Sequence, residues 1–469
     1  MESVSYNPLY LQVKEVILRR IVEGVYQPGE LIPSEKELSK DFRTSVSTVR
    51  QALSILVSDG YLLKKQGRGT FVSDQRVKVT FFNWMGESKR GLQIIQDLIT
   101  LFERKHPYIE VVTVPTTYPE SRRELLKLIS SGNAPDVAQI VSHWTSYFAS
   151  MGAFEPMEPI LSAENLKHRL SDKDLLGGVY QGKLYSVAWG LCPISLVTNL
   201  EVLEKFGVDL EDTPLTLDRF FEICSSISGA AQGKEIYCYG LPSTGDETDF
   251  LRIYPFLQAF RGGFVNEKEE VIFDSKENID GFGWLRGFIL KNKIFNSDIY
   301  TIRERFAAGS IAFISDGPWL KYQLEDMTGA PFKKNFRVVL NPVYADTRSY
   351  SWNYNHALAI CSQSKNKLYA AKFIDEVTSD PEISNFYYST VGHLPVNGSV
   401  LSDPVYDDEF FRAYRAQLEY SSVLNARNSM FEKAMVLCQD AVKKILFQDS
   451  NIEKELSEKE YYLKMLYYG

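Results

Sequence analysis

The chain has 469 residues, of which 44% are hydrophobic and 24% are charged. That length exceeds one ordinary hydrophobic core, and the composition is that of an ordered globular protein, so two or three folded domains are expected. The formal net charge is −8, but the first 75 residues carry 10 Lys/Arg and 9 Asp/Glu. Because this N-terminal part is barely positive, its charge alone does not indicate a nucleic-acid partner.

The sequence shows no feature of an exported or membrane-spanning protein. Residues 1–12 have neither a basic start nor an apolar run of the length of a secretory signal. The five cysteines are widely spaced, odd in number and form no C-x-x-C pair. This pattern argues against a disulfide framework and against a zinc cluster. We therefore expect a cytoplasmic protein with no membrane partner and no cofactor.

The first 75 residues have the pattern of three helices followed by two short strands. A Pro28-Gly29 pair ends the first helical segment in a turn. The elements, in order, are a helix from Pro8, a helix opened by the capping box Ser34–Glu37, a helix from about Ser45 to Gly60, and strands over 61–65 and 70–72. A glycine-flanked turn joins the two strands. This order predicts a winged helix-turn-helix.

Small polar and cationic side chains collect at the open end of the third predicted helix and on the wing, the turn between the two strands. Hydroxyl groups at a helix N-terminus suit phosphate contacts, and an arginine one turn further suits a base edge in the major groove. A cation between glycines on the wing suits the DNA backbone or the minor groove. Singly, each side chain fits a solvated surface; as a set on one face, they favour DNA.

Four motifs of this N-terminal part follow one another at fixed spacing: P-L-Y-x-Q, G-x-x-x-P-G-x-x-L-x-P-S-E, T-V-R-Q-A-L and G-x-G-T-F-V. With them the segment resembles the GntR family of bacterial transcriptional regulators. The resemblance implies binding of double-stranded operator DNA through Lys36, Ser45, Ser47, Thr48, Arg50, Gln66, Gly67 and Arg68. The sequence departs from the family at Val46, where a DNA-contacting arginine is frequent, so the operator sequence stays open.

From Val77 onward, strand-like and helical segments alternate, which predicts a parallel sheet with helices on its faces. Ligands bind such sheets beyond the carboxyl ends of the strands, and the segments at those places are rich in aromatic residues among Asn and Asp. Rings stack on the C–H faces of a sugar, and amides and carboxylates pair with its hydroxyls. The alternative is that these rings are core. The candidate ligand residues are Asn83, Trp84, Tyr118, His143, Trp144, Trp189, Asp316, Trp319, Trp352, Asn353 and Asn355.

The segments VTFFNWMG, SSGNAPDVAQI, FAAGSIAFISDGPW and TVGHLPVN follow one another along the rest of the chain. In this order they resemble the maltose-binding-like solute-binding proteins of ABC sugar importers. The resemblance implies an α/β, periplasmic-binding-protein-like (type II) domain whose two discontinuous lobes close around a ligand. We expect a DNA-binding domain over 1–75 and a ligand domain over 77–469, with lobes of roughly 77–190 plus 350–391 and 195–345 plus 395–469. Crossings between the lobes are expected near 191–199, 341–352 and 391–397.

The sequence contains no H-E-x-x-H, G-x-S-x-G, P-loop or G-x-G-x-x-G motif, so we do not predict an enzyme. The favoured function is a cytoplasmic one-component transcriptional regulator, expected to be a repressor and a homodimer, that senses a sugar or oligosaccharide and modulates operator binding. The alternative is the solute-binding component of an ABC-type sugar transporter. The DNA-binding pattern and the absence of an export signal favour the regulator.

Overall fold

The computed structural model describes residues 8–162, 166, 177–210, 215–244, 247–266, 268, 270–344, 348–422 and 428–468. Both predicted lobes include short segments that lie outside these described residues. Within the described part, no helix combines the length and the apolar content that crossing a bilayer requires.

The N-terminal domain, which we call the head, is a winged helix-turn-helix. It consists of α1 (Leu9–Val22), α2 (Glu35–Asp41), α3 (Val46–Ser58), β1 (Leu62–Lys65) and β2 (Gly69–Val72). The predicted capping box is present, since Ser34 Oγ accepts from Glu37 N (3.3 Å) and the Glu37 carboxylate accepts from Ser34 N (2.8 Å). The predicted order of helices and wing is therefore confirmed.

The rest of the chain alternates strands and helices. Up to residue 259 the elements are β3 (Val77–Asn83), α4 (Lys89–Lys105), β4 (Ile109–Pro115), α5 (Tyr118–Ser130), β5 (Val137–Val141), α6 (Thr145–Ser150), β6 (Val179–Tyr180), β7 (Lys183–Leu184), β8 (Ser186–Gly190), β9 (Ser195–Asn199), α7 (Leu200–Lys205), α8 (Leu217–Ala230), β10 (Tyr237–Pro242) and α9 (Glu247–Ala259). They are followed by α10 (Lys276–Lys291), β11 (Ile294–Ser297), α11 (Ile299–Ala307), β12 (Ile311–Asp316), α12 (Leu320–Thr328), α13 (Phe332–Asn335), β13 (Phe336–Val339), β14 (Ser351–Trp352), β15 (His356–Ile360), α14 (Lys367–Ser379), α15 (Pro381–Val391), α16 (Gly398–Leu401), α17 (Glu409–Glu419), β16 (Ser421–Ser422), α18 (Phe431–Phe447) and α19 (Ile452–Tyr468).

Two five-stranded sheets organise these elements, and each sheet with the helices packed on it is one lobe. The first lobe has the strand order β4-β3-β5-β15-β8, and the second has β11-β10-β12-β9-β13. In the first sheet β3 runs parallel to β4 and β5, whereas β15 runs antiparallel to β5 and β8. The prediction of a parallel sheet is therefore only partly correct. The reason is that the chain re-enters the first lobe in the opposite direction after crossing to the second.

The segments that cross between the lobes lie side by side. Leu191 and Leu394 exchange two backbone hydrogen bonds of 3.0 and 3.2 Å, and Pro193 forms a bridge to Asn353. The first crossing is shorter than the predicted 191–199, because β9 already begins at Ser195. Adjacent crossings of this kind are the usual place of a hinge.

The head packs directly on the first lobe. Tyr61, just before β1, stacks on Tyr369 of α14 with ring centroids 5.7 Å apart, and its hydroxyl lies 2.9 Å from Asn366 Oδ1. Asn366 Nδ2 donates to the backbone oxygen of Lys78 in β3 at 2.9 Å. Burial raises the pKa of Tyr61 to about 12, so its hydroxyl keeps the proton it donates. This junction lies at the amino end of β3, on the side of the first lobe that faces away from the carboxyl ends of its parallel strands.

Candidate functional site

The open end of α3 carries three hydroxyl groups that contact one another. Ser45 caps the helix by accepting from Thr48 N at 3.1 Å, and its Oγ lies 2.8 Å from both Ser47 Oγ and Thr48 Oγ1. Ser45 and Ser47 are exposed, and Thr48 is half-buried. Hydroxyl groups at the positive end of a helix can donate to a phosphate oxygen. The structure thus provides an anion-compatible end at the place where the sequence predicts DNA contacts.

A carboxylate that sequence reasoning missed joins the predicted DNA-binding elements. Arg50 Nε lies 2.9 Å from Glu35 Oε2, and Lys64 Nζ lies 3.6 Å from Glu35 Oε1. The hydrogen bond from Arg50 lowers the pKa of Glu35, so the carboxylate stays ionised. Glu35 therefore holds the start of α2, the first turns of α3 and the wing strand together, with Lys36 exposed beside it.

The tip of the wing is an exposed tight turn formed by Gln66, Gly67 and Arg68. Gly67 has φ +71° and Gly69 has φ +108°, conformations that favour glycine. A Cβ at Gly69 would lie 2.6 Å from Leu31 Cδ1, so this glycine also lets the wing approach the segment before α2. The eight predicted DNA-binding residues lie on α2, at the first turns of α3 and on the wing, and their contacts with DNA stay a prediction.

A cleft lies between the two lobes, beyond the carboxyl ends of β3 and β12. It contains about 620 Å³ of space that protein atoms do not fill, including its opening to solvent. Three predicted ligand residues line it: Trp84 and Tyr118 from the first lobe and Trp319 from the second. The rest of the lining is mixed: apolar side chains such as Met85 and Leu251 lie beside polar or charged ones, among them Arg252, Arg303, Tyr300, Tyr354, His356 and His393.

Asp316 positions the second-lobe wall of this cleft. Its buried carboxylate accepts from Arg252 at 2.9 Å, from Arg303 at 2.8 and 3.0 Å, and from Trp319 Nε1 at 2.9 Å. Burial alone would raise the pKa of Asp316, but the charges and hydrogen bonds of the two guanidinium groups outweigh burial and hold that pKa below its usual value. The predicted residue therefore orients the lining side chains and is not itself part of the lining.

Three further predicted rings lie behind the first-lobe wall. Trp144 stacks on Tyr118 with centroids 6.2 Å apart and an interplanar angle of 14°. His143 and Trp352 pack against Tyr354 at 5.0 and 5.5 Å between centroids. All three predicted rings are buried, so they support the lining tyrosines and do not line the cleft themselves.

The predicted asparagines bind the backbone next to the cleft. Asn353 Oδ1 and Asn355 Oδ1 both accept from Cys192 N, at 2.9 and 3.2 Å, and this ties the second crossing to the first. Asn83 Oδ1 accepts from Met85 N at 3.2 Å. Because all three side chains are buried, their contacts shape the backbone around the cleft.

Trp189 lies away from the cleft. It is fully buried and stacks on Tyr387 of α15, with centroids 4.1 Å apart and an interplanar angle of 6°. Side chains alternate between the two faces of a strand, and β8 is buried on both. The expectation that Trp189 faces the ligand does not match this position, since its side chain belongs to the core of the first lobe.

Sequence reasoning missed the arginines and histidines of the lining. Arg252 lies in α9 and Arg303 in α11, so neither directly follows the end of a strand, the feature by which the sequence marks a ligand residue. His356 and His393 are not among the candidate ligand residues, and no metal-binding group of three or more His, Cys, Asp or Glu occurs among the described residues. The available signal was their position next to two predicted crossings, where both lobes face the same space.

Two families match separate parts of the chain. The family described as "Bacterial extracellular solute-binding protein" matches residues 97–412, and "Bacterial regulatory proteins, gntR family" matches residues 9–72. The second match covers the head, and the first covers most of the two lobes.

Curated relatives show the same division. The maltotriose-binding protein of Pyrococcus abyssi is 22% identical over 326 residues, which are 68% of this chain and 67% of that protein. The probable fructoselysine utilization operon transcriptional repressor of Escherichia coli (strain K12) is 46% identical over 91 residues, which are 19% of this chain and 37% of the repressor. This chain therefore spans little more than a third of the length of that regulator.

Solved structures resemble the two lobes. The GacH receptor of Streptomyces glaucescens superimposes with a TM-score of 0.73 at 20% identity, over 83% of this chain and 98% of that one. Maltose-bound MalE3 of T. maritima gives a TM-score of 0.72 at 20% identity, over 83% and 99%. These likenesses confirm the predicted two-lobed, maltose-binding-like fold. The chain belongs to the bacterial extracellular solute-binding protein family and carries a gntR-family winged helix-turn-helix at residues 9–72.

Proposed function

We propose that this protein is a cytoplasmic one-component transcriptional repressor whose cleft senses a sugar or oligosaccharide. The gntR-family head supports operator binding, and the solute-binding fold supports a small-molecule effector. The observation that carries the proposal is the junction, in which Tyr61 of the head is stacked on and hydrogen-bonded to the lobe that forms one wall of the cleft. A head attached in this way can report the state of the cleft to DNA.

The proposed DNA contacts come from α2, α3 and the wing. In this assignment the hydroxyls of α3 bind phosphate, Arg50 reads a base edge, and Arg68 enters the minor groove or binds the backbone. A homodimer would present two such faces to the two halves of an inverted repeat. The assigned residues are Lys36, Ser45, Ser47, Thr48, Arg50, Gln66, Gly67 and Arg68.

The proposed ligand contacts are the aromatic walls of the cleft. Trp84, Tyr118 and Trp319 offer ring faces or edges from both lobes, and the polar lining offers partners for hydroxyl groups. Names of relatives support a sugar: one is a maltotriose-binding protein, and the matched repressors include one named for fructoselysine utilization and one for arabinose metabolism in Geobacillus stearothermophilus. The proposal contains binding steps only and no catalytic step.

In the proposed mechanism the two lobes close around the ligand. The moving units are the lobes of roughly 77–190 plus 350–391 and 195–345 plus 395–469. If closure changes how a dimer places its heads, sugar and operator affect each other's affinity by the same factor, typically about 5- to 150-fold. The hinge would lie where Leu191, Pro193, Asn353 and Leu394 bring the crossings together.

The experiment combines calorimetry of the full chain with a gel shift. The chain is titrated with glucose, maltose, maltotriose and longer maltodextrins, and then tested on DNA from upstream of its own gene with and without the saccharide that binds. We expect Arg50→Ala to weaken DNA binding and leave sugar binding intact, and Trp319→Ala to do the reverse.

A chain that binds no saccharide of the panel but binds another solute would contradict the sugar assignment. Unchanged DNA affinity in Arg50→Ala would contradict the proposed DNA face. Recovery of the protein outside the cytoplasm after cell fractionation would favour the transporter alternative instead.

A further inference from the structure

His393 is a buried polar side chain in the lining of the cleft. It follows α15 on the third crossing, lines the cleft and is 1% exposed. Neither of its ring nitrogens has a hydrogen-bond partner among the described residues. Buried polar atoms are nearly always paired, so an exception at a binding cleft indicates a function.

Packing fixes the ring of His393 in this position. The ring of His356 meets it at 89° with centroids 4.5 Å apart, and Tyr387 packs against it at 5.7 Å. On a third side lies Gly190, where an added Cβ would be 2.6 Å from His393 Nδ1. The absence of a side chain at Gly190 therefore makes room for the imidazole, which ring packing holds in place without a hydrogen bond from any described residue.

Both histidines of this pair are neutral. Burial lowers the pKa of His356 to about 3, and burial together with the neighbouring His356 lowers the pKa of His393 well below its usual value. A neutral imidazole has one N–H donor and one acceptor nitrogen. A hydroxyl group likewise donates and accepts, whereas a carboxylate or phosphate dianion only accepts and an ammonium only donates. The partner that fits this ring best is therefore a hydroxyl-bearing, uncharged ligand.

We propose that His393 binds a hydroxyl group of the sugar and thereby links occupancy of the cleft to its closure. This inference rests on the proposed function and names a residue for it. In the described conformation the walls meet, because Trp319 of the second lobe stacks on His356 of the first with centroids 5.4 Å apart and an angle of 9°. This contact helps to remove solvent from the histidine pair.

Closure without a ligand therefore costs the desolvation of His393 and returns no hydrogen bond. Closure around a sugar hydroxyl supplies the missing partner. The ligand therefore binds the closed form more tightly than the open form. A ligand can shift the populations of two conformations only if its affinities for them differ in this way. His393 also lies next to the proposed hinge, since the following residue, Leu394, pairs with Leu191 of the first crossing.

The test uses His393→Phe in the full chain, which keeps a ring of similar shape and removes both nitrogens. Without ligand, we expect a higher melting temperature and a smaller radius of gyration in X-ray scattering, because the empty closed form no longer buries unpaired nitrogens. With maltotriose, or the saccharide that binds best in the panel above, we expect affinity at least tenfold weaker by calorimetry. His393→Gln, which retains a donor and an acceptor, should restore part of that affinity.

Tyr387→Phe is the matched control. Tyr387 touches His393, is fully buried, and its hydroxyl also has no partner among the described residues, but it does not line the cleft. We expect it to bind the saccharide as tightly as the wild type.

A His393→Phe variant that binds the saccharide with wild-type affinity, or that melts below the wild type without ligand, would overturn the inference. Equal losses in His393→Phe and Tyr387→Phe would do so as well, because they would indicate a structural role. If the wild type binds no saccharide, the proposed function fails, while the ligand-free comparison still decides whether His393 opposes empty closure.

Discussion

The junction between head and first lobe differs in kind from the cleft between the two lobes. At the junction, Tyr61 stacks on Tyr369 and hydrogen-bonds to Asn366, and Arg19 of α1 donates to the carbonyl of Pro159 at 2.8 Å. These contacts join two surfaces of the protein that need no ligand to satisfy them.

Across the cleft the contacts are of another type. Trp319 lies on His356, Glu432 of α18 pairs with Arg122 of α5, and neither ring nitrogen of His393 has a hydrogen-bond partner in the described part of the chain. In the proposal above, a ligand supplies the hydrogen-bond partner that His393 lacks when the cleft closes empty. These contacts support the proposal that the head and the first lobe move as one body, and that a ligand changes the position of the second lobe.

The largest expected effect concerns the cleft wall. Asp316→Ala leaves Arg252 and Arg303 buried without their shared carboxylate, and removal of one partner of a buried ion pair costs about 3–5 kcal/mol. We expect this loss in the free energy of unfolding by denaturant titration, together with loss of sugar binding. Asp326→Ala, at an exposed position of the same lobe, should change stability by less than about 0.5 kcal/mol. Equal stability of the two variants would contradict the role of Asp316.

The carboxyl of Asp316 also predicts a pH dependence. Because its pKa is lowered in the folded state, its contribution to stability is present above the unfolded value of about 3.9 and is lost as the pH falls through the lower folded pKa. The difference in unfolding free energy between wild type and Asp316→Ala should thus be constant from pH 7 to about pH 5 and shrink only in stronger acid. A difference that already vanishes at pH 5 would show that the pKa is not lowered.

The junction is tested by Tyr369→Ala. This side chain is 2% exposed and carries the stacking contact with Tyr61, so its truncation should cost about 3–5 kcal/mol, as for other large buried rings. We expect the head to unfold in a separate transition, and we expect DNA binding that no longer responds to sugar. Tyr369→Phe keeps the ring and should retain the response. If DNA binding still responds to sugar in Tyr369→Ala, the proposed role of the junction is contradicted, because the signal would then reach the head by another route.

The low pKa of His356 predicts that the folded protein loses stability in mild acid. Since the folded pKa of His356 is about 3 and its unfolded value is about 6.5, the folded chain binds fewer protons than the unfolded chain between these values. Its stability is therefore complete above about pH 6.5 and decreases as the pH falls, by up to about 2 kcal/mol at pH 5. His356→Gln, which does not titrate, should show a shallower loss between pH 7 and pH 5. Identical slopes in both proteins would contradict the burial of a neutral imidazole.

The smallest expected effect is at the DNA face. Glu35→Gln removes the carboxylate that pairs with Arg50 and Lys64, so both cations become available to phosphate and a repulsive charge is lost. We expect operator binding to strengthen on the order of a few-fold in a gel shift at fixed salt, with sugar affinity unchanged. Weaker operator binding would instead indicate that Glu35 holds Arg50 in the orientation that DNA requires.

The two regions also differ in how far the sequence predicts them. The head is predictable because its signals are local: the capping box at Ser34, the cap at Ser45 and the glycines of the wing each act within a few residues. The junction is not, since Tyr61 and Lys365 meet across 304 positions and nothing near either residue marks the contact.

The cleft is predictable in part. The rule that ligands bind beyond strand ends finds Trp84 and Trp319, which follow β3 and β12. It fails for Trp189, because which face of a strand meets the core depends on the helices packed there. It also misses Arg252 and Arg303, which reach the cleft from helices, and His393, whose position depends on the pairing of distant crossings.

The most direct test measures two distances between spin labels in the full chain by double electron–electron resonance spectroscopy. All five native cysteines are buried, so labels can be directed to introduced cysteines at exposed positions: Glu15→Cys on the head with Thr100→Cys on the first lobe, and Glu15→Cys with Leu290→Cys on the second. On adding the saccharide that binds, our account predicts an unchanged distance from head to first lobe and a changed distance from head to second lobe. A change between head and first lobe, with the second distance constant, would contradict it.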